Sequence, residues 1–198
     1  MDDDEAARWF SEAADSGYPR AQYLLGQCYE LGCGVEKDED RAAALYQSAH
    51  EGGHIPATCS LGLCYELGRG VPEDKGRAVE LYRQAADAGD VRAQCNLGYC
   101  YYQGIGLEVD DREAVRWFKL AAQKEYARAQ QLLGECYENG YGVERDEKRA
   151  AELYQSAHER GHAPATCALG VCYESGCGVE MDKARAVSLY REAAEKGY

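Results

Sequence analysis

The chain has 198 residues, and 35 acidic against 22 basic side chains give it a formal net charge of −13. That charge argues against nucleic acid and anionic membrane surfaces as partners, because both repel an acidic protein. No stretch approaches the roughly 18 apolar residues of a membrane-spanning helix, so we expect no membrane insertion. The length suffices for one extended domain, residues 1–198, with a continuous core.

A 36-residue period dominates the sequence. Three glycine positions recur at this spacing, in the series Gly26, Gly62, Gly98, Gly134 and Gly170; Gly32, Gly68, Gly104, Gly140 and Gly176; and Gly34, Gly70, Gly106, Gly142 and Gly178. One cysteine position follows the same period at Cys28, Cys64, Cys100, Cys136 and Cys172. Periods of this length are typical of solenoids, in which small helical or stranded units stack into a row.

The first predicted element is a helix within residues 1–17. Its sequence from Asp2 to Ser16 matches the stretch from Asp110 to Lys124, which is the second helix of a later repeat. No first helix precedes it, so we expect the chain to be a fragment or a truncated array, because the ends of solenoids normally carry polar caps.

Each later repeat is predicted to form two helices, A and B. Helix A, for example Arg20 to Leu31, carries apolar residues at the spacing of one helical face, at Ala21, Leu25, Cys28 and Tyr29. The sequence Gly32-Cys33-Gly34 ends it, because glycine accepts the left-handed backbone at a helix C-terminus. An aspartate then stands where it would cap helix B, at Asp38, Asp74, Asp110, Asp146 and Asp182.

These signals predict an all-α fold of eleven helices without strands. The expected boundaries are helix B of a partial repeat at residues 1–17, then helix pairs at about 18–53, 54–89, 90–125, 126–161 and 162–198. Helix B usually ends at a glycine, but the third full repeat has Glu125 there. We therefore expect a strained junction, or a different turn, at residues 124–126.

Two segments match the His-Glu-x-x-His pattern of zinc proteases, at residues 50–54 and 158–162. They lie in blocks 108 residues apart, where 21 of 26 positions between Arg41 and Glu66 are identical to those of the second block. A zinc site needs both histidines on one helical face and a third ligand. Because Gly53 and Gly161 should end the helix, we expect no metal here and no cofactor elsewhere.

Eight of the ten cysteines follow two patterns. The periodic series beginning with Cys28 is expected to pack as small buried hydrophobic side chains. Cys59, Cys95 and Cys167 occupy a variable position and are expected to be exposed thiols. Each lies five residues before a periodic cysteine, or about 7.5 Å along a helix, which exceeds the roughly 7 Å Cα limit of a disulfide. We expect reduced thiols and a cytoplasmic location.

The repeat resembles the SEL-one-like repeat, a subclass of the tetratricopeptide type. The resemblance rests on the pattern that runs from Ala21 through Gly26, Tyr29, Gly32-x-Gly34-Val35 and Asp38 to Tyr46 and Ala49, and on its recurrence along the whole chain. It implies a right-handed superhelix with a concave face lined by the A helices, and an adaptor role without catalytic residues. Cysteine-rich bacterial members join helix A to helix B by a disulfide. This chain has no cysteine in any predicted helix B.

By the same resemblance, four positions of each helix A face the groove: three before and one, four and five after the central glycine. The partner-binding residues expected from the first three positions are Tyr23, Gln27, Glu30, Cys59, Leu63, Glu66, Cys95, Tyr99, Tyr102, Gln131, Glu135, Glu138, Cys167, Val171 and Glu174. The residues at the last of the four positions, five residues after the central glycine, are Leu31, Leu67, Gln103, Asn139 and Ser175.

These groove positions vary between repeats while the core positions do not. We expect a ladder of carboxylates around Tyr99 and Tyr102, and therefore a peptide or protein partner with basic and apolar side chains. Two alternatives remain at this point. The first alternative is a metal-dependent hydrolase that uses the histidine pairs. The second is a structural spacer between other domains.

Overall fold

The computed structural model of the chain describes residues 3–197, and within this range it contains eleven α-helices and no strand. The helices are α1 (Asp3–Asp15), α2 (Pro19–Leu31), α3 (Glu39–Glu51), α4 (Ile55–Leu67), α5 (Lys75–Asp87), α6 (Val91–Gln103), α7 (Asp111–Gln123), α8 (Ala127–Asn139), α9 (Glu147–Glu159), α10 (Ala163–Ser175) and α11 (Lys183–Glu195). The even-numbered helices are the A helices and the odd-numbered helices are the B helices. The all-helical prediction is confirmed.

The helices pack within two compact units. Unit 1 extends to Ala93 and includes Ile105–Leu107; unit 2 comprises Gln94–Gly104 and the chain from Glu108 onward. In unit 1, α2 packs on α3 and α4 on α5; in unit 2, α8 packs on α9 and α10 on α11. Within unit 2, α8 also contacts α10, so two A helices lie side by side.

In each full repeat, an aromatic ring of helix B fills a space left by the central glycine of helix A. A Cβ added to Gly26 would lie 2.7 Å from Tyr46 Cε1, and one added to Gly134 would lie 2.5 Å from Tyr154 Cε1. Gly98 has the same relation to Phe118 in the repeat where phenylalanine replaces tyrosine. The glycine series therefore recurs because the aromatic ring needs the volume of a side chain.

The aspartates cap the B helices as predicted. The Asp38 carboxylate accepts a hydrogen bond from the Arg41 N–H at 3.0 Å, and the same contact recurs at Asp74, Asp146 and Asp182. Asp110 accepts from the amides of Arg112 and Glu113. Each cap holds the first turn of helix B in place after the loop, and an N-cap of this kind typically stabilises the folded state by about 1 kcal/mol.

Glu125 has a φ of 61°, the one positive φ outside glycine among residues 3–197. Of the two expected alternatives, a strained junction or a different turn, the structure has the first, because Glu125 adopts the left-handed backbone. Its carboxylate forms an ion pair with Arg160 at 2.6 Å.

We expect the Glu125→Gly variant to be more stable than Glu125→Ala by about 0.5–1 kcal/mol. Both variants lack the ion pair, so their difference in unfolding free energy does not include it. Alanine pays the cost of a side chain in the left-handed region, whereas glycine pays the larger loss of backbone freedom on folding. Urea unfolding of the two variants measures it. Equal midpoints would mean that the backbone at this junction carries no strain.

Candidate protein-binding face

Four glutamates of the A helices are hydrogen-bonded to tyrosines of the B helices that follow them. The tyrosine hydroxyl donates to glutamate Oε2 in each pair: Tyr46 to Glu30 at 2.5 Å, Tyr82 to Glu66 at 2.6 Å, Tyr154 to Glu138 at 2.8 Å and Tyr190 to Glu174 at 2.7 Å. Burial, followed by the bond to the carboxylate, raises the pKa of Tyr46 and Tyr154 well above the usual range. One carboxylate oxygen of each of these glutamates is therefore bonded within its own repeat, and these glutamates are not simply solvated surface side chains.

The third full repeat replaces both members of this pair. Tyr102 stands at the glutamate position and Phe118 at the tyrosine position, and their rings meet edge to face at 6.4 Å. Phenylalanine has no hydroxyl that would need an acceptor, so the two substitutions compensate each other. The sixteen-residue spacing of the pairs is readable in the sequence, where glutamate goes with tyrosine and tyrosine with phenylalanine.

The two tyrosines of the expected aromatic patch have different neighbours. The Tyr102 ring also lies 6.0 Å from the ring of Tyr141. The guanidinium of Arg128 lies 5.4 Å above the Tyr99 ring, and the same guanidinium donates to Asn96 at 3.2 Å. Tyr99 is thus partly covered by a cation within unit 2.

Exposed apolar side chains accompany the glutamates in unit 1. Leu31 is 70% exposed and Leu67 is 45% exposed, and each follows a paired glutamate directly in the sequence. Leu63, one turn before Leu67, is half-buried. In unit 2, Val171 is exposed close in sequence to the exposed Glu174. Apolar and acidic groups therefore lie together near the C-terminal ends of these A helices.

The expectation of exposed thiols at the variable position is wrong for two of three cysteines. Cys59 is 3% exposed and Cys95 is 0% exposed, while Cys167 is half-buried. A cysteine is small and weakly polar, so it packs in the seam between helices. Burial raises the pKa of the Cys95 thiol to about 12. The periodic cysteines are buried as expected, except that Cys28 is half-buried, and no cysteine of the described chain forms a disulfide.

We expect thiol labelling at pH 8 to distinguish these environments. Cys33 is exposed and should react with iodoacetamide within minutes. Buried thiols such as Cys95 and Cys136 should react at least about 100-fold more slowly, because only the accessible thiolate is a nucleophile. Denaturation without reductant should then release nearly ten thiols. A count near zero would contradict the reduced state.

Three of the four histidines in the two zinc-protease patterns have a side-chain hydrogen-bond partner within the protein. His50 Nδ1 lies 2.9 Å from the Thr58 hydroxyl, and the duplicated His158 lies 3.0 Å from the Thr166 hydroxyl. His54 stands at the N-cap of α4, where its Nδ1 accepts from the Ala57 amide at 3.3 Å. The two histidines of each pattern thus lie on different elements, and residues 3–197 contain no group of three potential metal ligands.

None of the described helices is long and apolar enough to cross a membrane. Of the remaining predicted face residues, Tyr23 and Gln27 lie on α2, where the Gln27 amide donates to the Tyr23 hydroxyl oxygen at 2.9 Å, and two others lie on α8. Gln131 donates to the half-buried Glu135, and burial raises the pKa of that carboxyl above its usual value. Glu135 is consequently another carboxylate that is engaged within its own helix.

The sequence profile of the Sel1 repeat matches residues 2–18, 19–54, 55–90, 91–126, 127–162 and 163–198. Among solved structures, c5321, a protective antigen of uropathogenic Escherichia coli with an SLR fold, is 40% identical over 96% of this chain, with a TM-score of 0.84. The chain spans only 41% of that protein. No curated protein gives a significant match.

A Sel1 repeat protein from Oxalobacter formigenes is 32% identical over 100% of this chain and 84% of its own length, with a TM-score of 0.85. An immunity protein of Pseudomonas aeruginosa, Pa5087, is 23% identical over 96% of this chain and 72% of its own length, with a TM-score of 0.65, and supports the fold alone. The repeat matches cover nearly every residue, so the chain belongs to the Sel1 repeat family.

Proposed function

We propose that this chain is a scaffold that binds a peptide or protein partner on the face of its A helices. Sel1-repeat proteins are generally protein-interaction scaffolds, and the proposal carries that role to this chain. The observation behind it is the contrast between invariant packing positions and a variable helix-A face that leaves Leu31 and Leu67 in solvent. Large exposed apolar side chains grouped on one face commonly mark an interaction site.

The proposed partner carries basic and apolar side chains. In unit 1, the exposed leucines supply apolar area next to Glu30 and Glu66, each of which accepts from a tyrosine hydroxyl through one carboxylate oxygen. In unit 2, Tyr99 and Tyr102 are both half-buried and offer aromatic anchors of the kind that dominate binding energies. The free thiols fit a reducing, cytoplasmic compartment, which belongs to the proposal.

To test this function, a random peptide library is displayed and peptides that bind the intact chain are selected. The affinity of a selected peptide is then measured for variants of the chain. The Tyr99→Ala, Tyr102→Ala double variant should weaken binding by about 2 kcal/mol, or roughly 30-fold. Replacing the four paired glutamates by glutamine should slow association and flatten its salt dependence, while glutamine still accepts from the tyrosine hydroxyls.

Tyr102 packs on Phe118, so its replacement also removes a contact between helices. The Leu31→Ser, Leu67→Ser double variant is therefore tested as well, because both leucines are exposed and their replacement leaves the core intact. Leu120→Ser on helix B is its matched control, since Leu120 is also exposed. Helicity of every variant is checked by circular dichroism. Binding that survives both face variants unchanged would place the site elsewhere and refute the proposal.

A further inference from the structure

Near the start of the A helices, unit 1 gathers several side-chain N–H and O–H groups, of which only some have an acceptor among the described residues. The Tyr23 ring on α2 lies 4.8 Å from the imidazole of His54, centroid to centroid. The Arg92 guanidinium, on α6, donates to the carbonyl of Pro56, two residues after His54, at 3.1 Å, and its charge lies near Tyr23. Side chains from three successive A-helix segments thus meet at one place.

The hydrogen-bond inventory of this cluster is unbalanced. The Tyr23 oxygen accepts from the Gln27 amide at 2.9 Å and lies beside Arg92, so its own hydrogen remains to be donated. His54 Nδ1 accepts from the Ala57 amide, which places the hydrogen of the neutral ring on Nε2. The guanidinium of Arg92 has five N–H groups, of which one binds Pro56. The remaining hydrogen-bonding groups of these three side chains are therefore mainly donors.

The charges at this place are predominantly positive, in contrast to the chain as a whole. Burial, then the charges of Arg20 and Arg92, lower the pKa of His54. Among residues 3–197, no carboxylate lies within ion-pair distance of either arginine, whereas Arg41, Arg77, Arg116 and Arg149 of the B helices all have one. The nearby Asp90 contributes a negative charge, but its Oδ1 is engaged in capping α6 through the Ala93 amide.

We propose that Arg92, Tyr23 and His54, with Arg20 at the edge, form a subsite for a carboxylate of the bound partner. A carboxylate offers about four lone-pair directions in one plane and matches a guanidinium with flanking N–H and O–H donors. A doubly charged phosphate would be repelled more strongly by a protein of net charge −13 than a singly charged carboxylate.

This subsite deepens the proposed function and rests on it for its role. The A helices carry cations at their N-terminal ends, at Arg20 and Arg92, and paired glutamates at their C-terminal ends, at Glu30 and Glu66. The helix dipole adds to both. A partner with an acidic group on one side and basic and apolar groups on the other would therefore bind unit 1 in one orientation.

Titration of the full ¹⁵N-labelled chain with sodium acetate, at constant ionic strength, tests the subsite without any protein partner. We expect the Arg92 Nε–H and His54 ring resonances to shift saturably in the millimolar range. Arg92→Gln should weaken the apparent affinity at least fivefold and Tyr23→Phe about threefold. Arg77→Gln is the matched control, because Arg77 is paired with Glu80 at 2.8 Å, and it should change nothing.

N-acetyl-leucine and N-acetyl-glutamate α-amide then distinguish a terminal from a side-chain carboxylate, and saturable binding of either one supports the subsite. Non-saturating shifts, equal shifts in Arg92→Gln, or a response to phosphate but not acetate would each overturn it. The outcome is independent of the peptide selection, so a failed subsite and a failed scaffold function are distinguishable.

Discussion

Replacing Gly134 by alanine is expected to lower the free energy of unfolding by about 2 kcal/mol, although alanine is the better helix former. The new methyl group would lie 2.5, 2.9 and 3.1 Å from three atoms of the Tyr154 ring, which is fully buried and hydrogen-bonded to Glu138. Overpacking of this kind typically costs 1–3 kcal/mol, and the ring cannot withdraw without losing its bond.

Gly76 provides the matched control for this substitution. It also lies in a helix, α5, but a Cβ there would meet only Asp74 Oδ1 at 3.4 Å. Gly76→Ala should therefore stabilise the chain by up to about 1 kcal/mol through helix propensity alone. Urea midpoints of both variants give the comparison. If Gly134→Ala is as stable as Gly76→Ala, the glycine series does not exist to accommodate the rings.

Alkaline pH is expected to destabilise the chain steeply. Burial raises the pKa of Cys95, Cys136 and Cys172 to about 12 and that of Cys64 to about 11, whereas an unfolded thiol titrates near pH 8.5. Between these values the unfolded state loses protons that the folded state keeps. Stability is therefore complete below about pH 8.5 and falls as pH rises, by about 1.4 kcal/mol per pH unit for each thiol.

The slope of unfolding free energy between pH 9 and 10.5 measures this effect. Four buried thiols give at most about 5 kcal/mol per pH unit, and Cys95→Ala should reduce the slope by about one thiol's share, even though the variant is less stable at pH 7. A slope that Cys95→Ala leaves unchanged would mean that this thiol ionises in the folded chain.

Features that repeat within one stretch of chain could be predicted from the sequence. The helix-ending glycines, the capping aspartate Asp38 and the left-handed junction at Glu125 depend on neighbours a few residues away, and local patterns report them. The family, and with it the all-helical fold, followed from the recurrence of those patterns over the whole chain.

Features that depend on contacts between elements were missed. The pairing of Glu30 with Tyr46 joins two helices, so a glutamate that looks solvated in the sequence is engaged. The burial of Cys59 and Cys95 depends on which neighbouring side chains close the seam. The cluster of Tyr23, His54 and Arg92 joins three successive A-helix segments, and no single repeat contains its pattern.

The most direct test of the scaffold function is to map a selected binding peptide on the ¹⁵N-labelled chain by chemical-shift changes. We expect the largest changes at exposed and half-buried positions of the A helices, such as Leu31, Leu67, Tyr99 and Tyr102, and little change at B-helix positions such as Leu120. Changes confined to the B helices, or no enriched peptide, would contradict it.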